Sequence, residues 1–140
     1  MDTQELQQGF EDLIERAKRT FWGYLGCELV EIERNKVTVA LDVKEHHLNP
    51  LGILHGGVHC GVLDSAMGIA AMVARPNENL VTSNLNIHFT SPVGVGRVSA
   101  VAEIVHVSGK MVTAQGTLTD ENNNICAMAT ASFRVIDKKK

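Results

Sequence analysis

Apolar residues recur at three- and four-residue steps through Leu6, Phe10, Leu13, Ile14, Ala17 and Phe21, with Glu5, Gln7, Glu11, Asp12, Arg16 and Lys18 between them. That period predicts an amphipathic helix over 3–22, inside an N-terminal helical segment 1–24, with Asp2 or Thr3 as its cap. Gly23 closes the helix and Gly26 begins extended chain. The period then changes to two. Residues 25–33 read as one strand and 36–43 as a better one, with Val37, Val39, Leu41 and Val43 alternating with Thr38, Ala40 and Asp42. Arg34-Asn35 suits a tight turn between them. Residues 44–54, with His46, His47, Asn49 and Pro50, have no period and read as a loop.

A different pattern follows. The run Asn49-Pro50-Leu51-Gly52-Ile53-Leu54-His55-Gly56-Gly57 leads into a segment, 58–74, whose only polar residues are His59, Asp64 and Ser65. A helix apolar nearly all round is a buried one, so a central helix is expected over 57–75. Asp64 in its middle is then an interior carboxylate, which is costly unless it has partners or a task.

After Pro76 and a polar turn, extended runs are expected at 80–90, 97–107, 110–119 and 125–136. They are separated by Pro92-Val93-Gly94-Val95-Gly96, by Ser108-Gly109 and by the acidic, asparagine-rich stretch 120–124. With such short connections, consecutive strands are expected to pair antiparallel. One apolar helix and six strands imply an α+β fold, an antiparallel sheet curled around one long central helix. The whole of 1–140 reads as a single domain. A curled sheet still has edges, and edge pairing with a second copy would close it.

Charge and composition narrow the function classes. The net charge is −3, and the basic residues are scattered apart from Lys138-Lys139-Lys140, a solvated tail. No basic-aromatic stripe points to nucleic acid. The N-terminus lacks the pattern of a signal peptide, and 58–74 is short for a membrane span. Cys27, Cys60 and Cys126 are widely spaced and odd in number, which reads as free thiols in a reducing, cytoplasmic setting. His55 and His59 have the four-residue spacing of zinc ligands, and His46, His47 and Cys60 are near. Yet Gly56 stands where a zinc hydrolase would place its glutamate, and the metal reading is set aside.

Asn49, the His55-Gly56-Gly57 step and Asp64 eight residues beyond Gly56 together resemble the hotdog-fold acyl-CoA thioesterases. The branch is similar to the PaaI-type and 4-hydroxybenzoyl-CoA thioesterases. Residues 81–92, reading Val-Thr-Ser-Asn-Leu-Asn-Ile-His-Phe-Thr-Ser-Pro, and Gly94-x-Gly96 continue the likeness, which covers about 25–136. The resemblance implies hydrolysis of an acyl-CoA with no cofactor beyond the coenzyme A of the substrate. It also implies a homodimer or homotetramer with active sites between subunits. It assigns the Gly56 amide to the thioester carbonyl, Asn49 to placing and polarising the substrate, and His55 to shaping the turn or assisting catalysis. Asp64, from the neighbouring subunit, is nucleophile or general base. Thr82 aligns best as the hydroxyl beside it, with Ser83 and Ser65 as alternatives, because Gly68 stands where related branches carry a hydroxyl. Gly57, Ser83, Arg97 and the Ser108-Gly109-Lys110 turn are the candidates for contacting substrate and coenzyme A, with Arg75 a further cation for its phosphates.

These residue types suit the chemistry. Thioester cleavage builds negative charge on the carbonyl oxygen, and a helix-start amide is a preorganised donor for it. Glycine there lets the acyl group approach. Burial would push Asp64 towards its neutral form, so neighbouring hydroxyls or amides are expected to offset it. Two other classes compete: a non-catalytic acyl-CoA-binding sensor and a dehydratase acting on carrier-bound acyl chains. Retention of both the amide donor and the carboxylate favours hydrolysis, and the resemblance implies aryl acyl groups (phenylacetyl, hydroxybenzoyl or dihydroxybenzoyl) as substrates, with medium fatty chains as runner-up.

Overall fold

A computed structural model describes residues 3–136. The cap expected of Asp2 or the Thr3 side chain, and the lysines 138–140, lie outside the described residues. The first apolar pattern folds as two helices rather than one, α1 (Thr3–Ala17) and α2 (Phe21–Leu25). The break has a local cause. The Thr20 hydroxyl donates to the Ala17 carbonyl at 2.6 Å, taking an acceptor that a continuing helix would use. Gly23 fits the fold-back, because a Cβ there would lie 1.8 Å from the Lys18 carbonyl oxygen. Gly26, at φ 88°, ends α2 in the left-handed region.

The strands are β1 (Glu28–Ile32), β2 (Lys36–Val43), β3 (Asn79–Phe89), β4 (Gly96–Ser108), β5 (Met111–Thr119) and β6 (Ile125–Ile136). The central helix is α3 (Gly56–Ala74). Strand β1 starts later than expected because Leu25 belongs to α2. The loop before α3 holds one turn of 3-10 helix, Glu45–His47.

All pairings are antiparallel, in the order β1-β2-β4-β5-β6-β3. The expectation that consecutive strands are neighbours therefore fails for β3 and β4. Strand β4 has β2 on one side and β5 on the other, so β3 takes the free side of β6 and becomes an edge. The chain returns through residues 90–95, and the Val93 carbonyl accepts from Leu54 N–H at 2.7 Å, tying that crossover to the loop before α3.

The sheet packs on one side of α3 through Val62, Leu63, Ala66, Met67, Ala70 and Ala71, all at most 1% exposed. Strand β5 comes close at Gly116, where a Cβ would lie 3.1 Å from Leu63 Cδ2. By length and composition α3 could cross a membrane, but that face is core. The sheet does not wrap every face of α3, as the sequence suggested. Helices α1 and α2 lie on the remaining side. Phe10 and Val73 line one cavity there and Ile14 and Ile69 another, and Phe21 packs against Gly61, where a Cβ would meet its ring at 2.8 Å.

Candidate active site

Helix α3 begins where its sequence permits a bare backbone. His55 caps it: its Nδ1 accepts the Gly57 N–H at 2.7 Å. That bond occupies the Gly57 amide. The Gly56 N–H, first in the helix, has no intrahelical acceptor and stays available at the positive end of the dipole. The preceding loop is held by Asn49, whose Oδ1 accepts from Leu51 N–H at 2.9 Å and Ile53 N–H at 3.3 Å. Its Nδ2 is left to donate. Asn49 and Gly56 line one cavity of about 450 Å³ together with His59, Phe89, Thr90 and Ser91.

His59 is 3% exposed and its Nδ1 has no hydrogen-bond partner. Burial holds its pKa below the usual histidine value. The Phe89 ring meets it edge-on at 5.2 Å. Behind this cavity, buried His47 joins the loop to the N-terminal helices. Its Nδ1 accepts from Lys44 N–H at 2.9 Å, its Nε2 bonds the Leu25 carbonyl at 2.7 Å, and its own carbonyl accepts from His55 N–H.

Asp64 sits elsewhere. It is half-buried rather than interior, on a face of α3 that looks towards α1, α2 and the start of β3. It opens on a second cavity, of about 240 Å³, with Ser65, Thr82 and an otherwise apolar lining. Thr82 Oγ1 donates to Asp64 Oδ1 at 2.8 Å. A β-bulge makes that contact possible. The register between β3 and β6 shifts between Thr82 and Asn84, leaving Ser83 extra. Before the bulge Leu80 and Thr82 face α3; after it the inward positions become Leu85, Ile87 and Phe89. Ser83 is turned away and donates to the Ser132 carbonyl at 3.1 Å. Beside Asp64, the Cys60 thiol is pushed up by burial and, less, by the carboxylate charge.

The two cavities share no residue. Gly56 and Asp64 are eight residues apart on one helix, a rise of about 12 Å with about an 80° rotation. A single thioester carbonyl cannot touch both groups within one chain.

The cation candidates are largely spoken for. Arg97 donates to Asp42 at 3.0 Å and to Glu28 at 2.9 Å, and those bonds raise its pKa. Arg97 thus ties β4 to β1 and β2 through two exposed ion pairs. Arg75 forks onto Glu78 and donates to the Gly109 carbonyl at 2.7 Å, holding the Ser108-Gly109-Lys110 turn near the far end of α3. Among the described residues no group of three His, Cys, Asp or Glu is placed to hold a metal ion.

Sequence reasoning missed the walls of the Asp64 cavity contributed by Leu13, Ile14, Ala17 and Trp22. The helical period exposed the apolar face of α1 but not what it faces. His59 was weighed only as a zinc ligand, although a lone histidine on an apolar helix was itself the available signal.

The thioesterase superfamily model matches residues 51–127, from the Asn49 loop to the start of β6. A 1,4-dihydroxy-2-naphthoyl-CoA hydrolase of Listeria monocytogenes is 30% identical over 117 residues, 83% of this chain and 95% of that protein. The chain belongs to the thioesterase superfamily. Membership makes this thioesterase a thioester hydrolase. Its fold is that of the PaaI protein from the Escherichia coli phenylacetic acid degradation operon, at TM-score 0.89 and 18% identity over 99% of both chains. A thioesterase from Haemophilus influenzae superposes at TM-score 0.85 with 22% identity, over 91% of this chain and 90% of that one. Both likenesses establish the hotdog architecture.

Proposed function

We propose that this thioesterase hydrolyses acyl-CoA thioesters at a site assembled from two subunits. The Gly56 amide of one chain polarises the carbonyl, and Asp64 of its partner attacks the carbonyl carbon or deprotonates the water that does. The observation that carries the reading is the separation of Gly56 from Asp64 into different cavities of one chain, about 12 Å apart along α3. A two-fold copy joined along the β3 edge would bring one chain's Gly56 to the other's Asp64. That edge is eleven residues long, with Val81 45% and Phe89 54% exposed. Such an edge is an invitation to pairing.

In the assembled site Thr82 orients the carboxylate, Asn49 Nδ2 steadies the substrate and the His55 ring keeps α3 capped. Addition to the carbonyl places a negative oxygen at the Gly56 N–H, and collapse expels the coenzyme A thiolate. In the water route Asp64 returns the proton it took to that thiolate; in the nucleophilic route water then cleaves the acyl-aspartyl anhydride to release the acid. A donor of this kind is worth about 2.7–4 kcal/mol of barrier. The Ser108-Gly109-Lys110 turn is the remaining candidate for the nucleotide phosphates. The names of two similar proteins, a 1,4-dihydroxy-2-naphthoyl-CoA hydrolase and a phenylacetic acid degradation protein, support aryl acyl groups, with medium chains as the second choice.

The test is complementation. Asp64→Ala and a Gly56→Pro variant, which lacks the amide hydrogen, should each be inactive alone on a panel of short, medium, long and aryl acyl-CoAs. Verified mixed dimers should regain activity through the one intact site. Absence of recovery in verified mixed dimers would place the whole site in a single chain and overturn the reading.

A further inference from the structure

The cavity at Asp64 continues beyond the chemistry. Its polar lining is Asp64, Ser65 and Thr82, with Thr82 bonded to Asp64. Gly68, Ile69 and Met72 follow over the next two turns of α3, and Leu13, Ile14, Ala17, Trp22, Leu80 and Phe133 complete an apolar wall. Gly68 forms part of its floor. We propose that this cavity takes the acyl tail, that α1 closes it and Gly68 gives it depth, and that the preferred tails have no polar group at their far end. The inference rests on the thioesterase reading and narrows its substrate class to straight medium-chain or unsubstituted aryl-alkyl acyl groups.

The geometry carries it in three steps. A thioester whose carbonyl carbon lies at Asp64 must send its acyl chain somewhere within reach, and this apolar space begins at that carboxylate. Four residues beyond Asp64, one helical turn on, Gly68 removes a side chain from the wall. A Cβ there would lie 3.5 Å from Phe133 Cε1, ordinary contact, so close packing does not demand the glycine. The glycine also costs helix stability of about 0.8–1.0 kcal/mol relative to alanine. Depth is what it supplies. Finally, the far walls offer aliphatic and aromatic carbon, so a ring hydroxyl carried there would lose water and gain no partner. Hydroxybenzoyl and dihydroxynaphthoyl groups are therefore poor occupants.

The experiment compares kcat/KM for butyryl-, hexanoyl-, octanoyl-, phenylacetyl- and 4-hydroxyphenylacetyl-CoA in wild type, Gly68→Ala, Gly68→Val and Ala17→Phe. Binding of the matching non-hydrolysable thioether analogues is measured by calorimetry alongside. Phenylacetyl-CoA should exceed its hydroxylated analogue by about 10²-fold, near what an apolar pocket achieves against an added hydroxyl. The octanoyl-to-butyryl ratio should fall about tenfold or more in Gly68→Val and Ala17→Phe, and less in Gly68→Ala. Equal use of the hydroxylated and plain ring, or variants that lower all chain lengths alike, would overturn the proposal. If wild type hydrolyses no acyl-CoA, the catalytic reading fails, but the thioether analogues still decide the pocket. Binding that tightens with chain length and is lost in Gly68→Val supports it; binding indifferent to both removes it.

Discussion

Thr82 Oγ1 on β3 donates to Asp64 Oδ1 on α3 across 2.8 Å, a contact that exists because a bulge at Ser83 turns Thr82 towards the helix. The bond holds one oxygen of a carboxylate that lines the cavity. Asp64→Asn should lower kcat by about 10²–10⁴-fold, the range for a positioned acid–base group, with little change in Tm. Thr82→Val should lower kcat by up to about 10²-fold through misorientation, with KM nearly unchanged, and Thr82→Ser should recover most of it. A Thr82→Val enzyme with wild-type kcat would show that Asp64 needs no orienting hydroxyl.

His55 is exposed, yet its ring accepts the Gly57 amide at 2.7 Å. Its first role is therefore a cap. His55→Ala should cost about 0.5–2 kcal/mol of stability, as other lost N-caps do, and His55→Asn should restore most of that. Denaturant melts of the three proteins decide the matter. If His55→Asn melts like wild type but remains catalytically impaired, the ring also acts on substrate.

Most of the architecture was legible because it rests on local periods. The alternation Val37, Val39, Leu41, Val43 fixed β2 to the residue, and the apolar run after Gly56-Gly57 located α3. The pairing of β3 with β6 was not legible, since short connections imply adjacency and only the tertiary fold shows that both sides of β4 are taken. Within the site, the spacing of Asn49, His55, Gly56 and Asp64 marked the right residues. What it could not show is that Asp64 looks towards α1, because an amphipathic period reveals a face and not its partner. The commitment of Arg97 to Glu28 and Asp42 was equally hidden, each of the three being an ordinary surface charge in the sequence.

That commitment makes a prediction for coenzyme A. A guanidinium held by two carboxylates has little to offer a phosphate. Arg97→Ala should leave KM for acyl-CoA within about twofold of wild type, because both terminal nitrogens of the guanidinium are already engaged by Asp42 and Glu28. A Lys110→Ala change, in the turn beyond α3, should raise KM and weaken its salt dependence. A large KM effect at Arg97 with none at Lys110 would reverse the assignment.

His47 gives the fold a pH dependence with a definite sign. Its Nδ1 must be unprotonated to accept from Lys44 N–H while its Nε2 hydrogen bonds the Leu25 carbonyl, so the neutral ring is the one built in. Burial lowers its folded pKa below 6.5, the ordinary value. Its contribution is therefore complete above the unfolded pKa, about 6.5, and is lost as pH falls towards and through the folded value. Melting temperature should drop between pH 7 and pH 5, and the drop should be shallower in His47→Gln. Parallel profiles for the two proteins would show that other groups set the acid limb.

His59 shares that sign, since burial lowers its pKa too, but it differs in having nothing to hold its Nδ1. An unsatisfied buried polar atom costs about 1–3 kcal/mol. Leucine is close enough in size to fill the same space beside Phe89 without the orphan nitrogen. His59→Leu should therefore melt higher than wild type, and His59→Gln should not. The position lies in the cavity with Gly56 and Asn49, so the same replacement should reveal whether the cost is borne for function. A more stable His59→Leu enzyme with reduced kcat/KM would identify His59 as a group kept at the expense of stability to meet the substrate. A less stable one would show that the packing of the imidazole, including its edge contact with Phe89, outweighs the cost of the unpaired nitrogen.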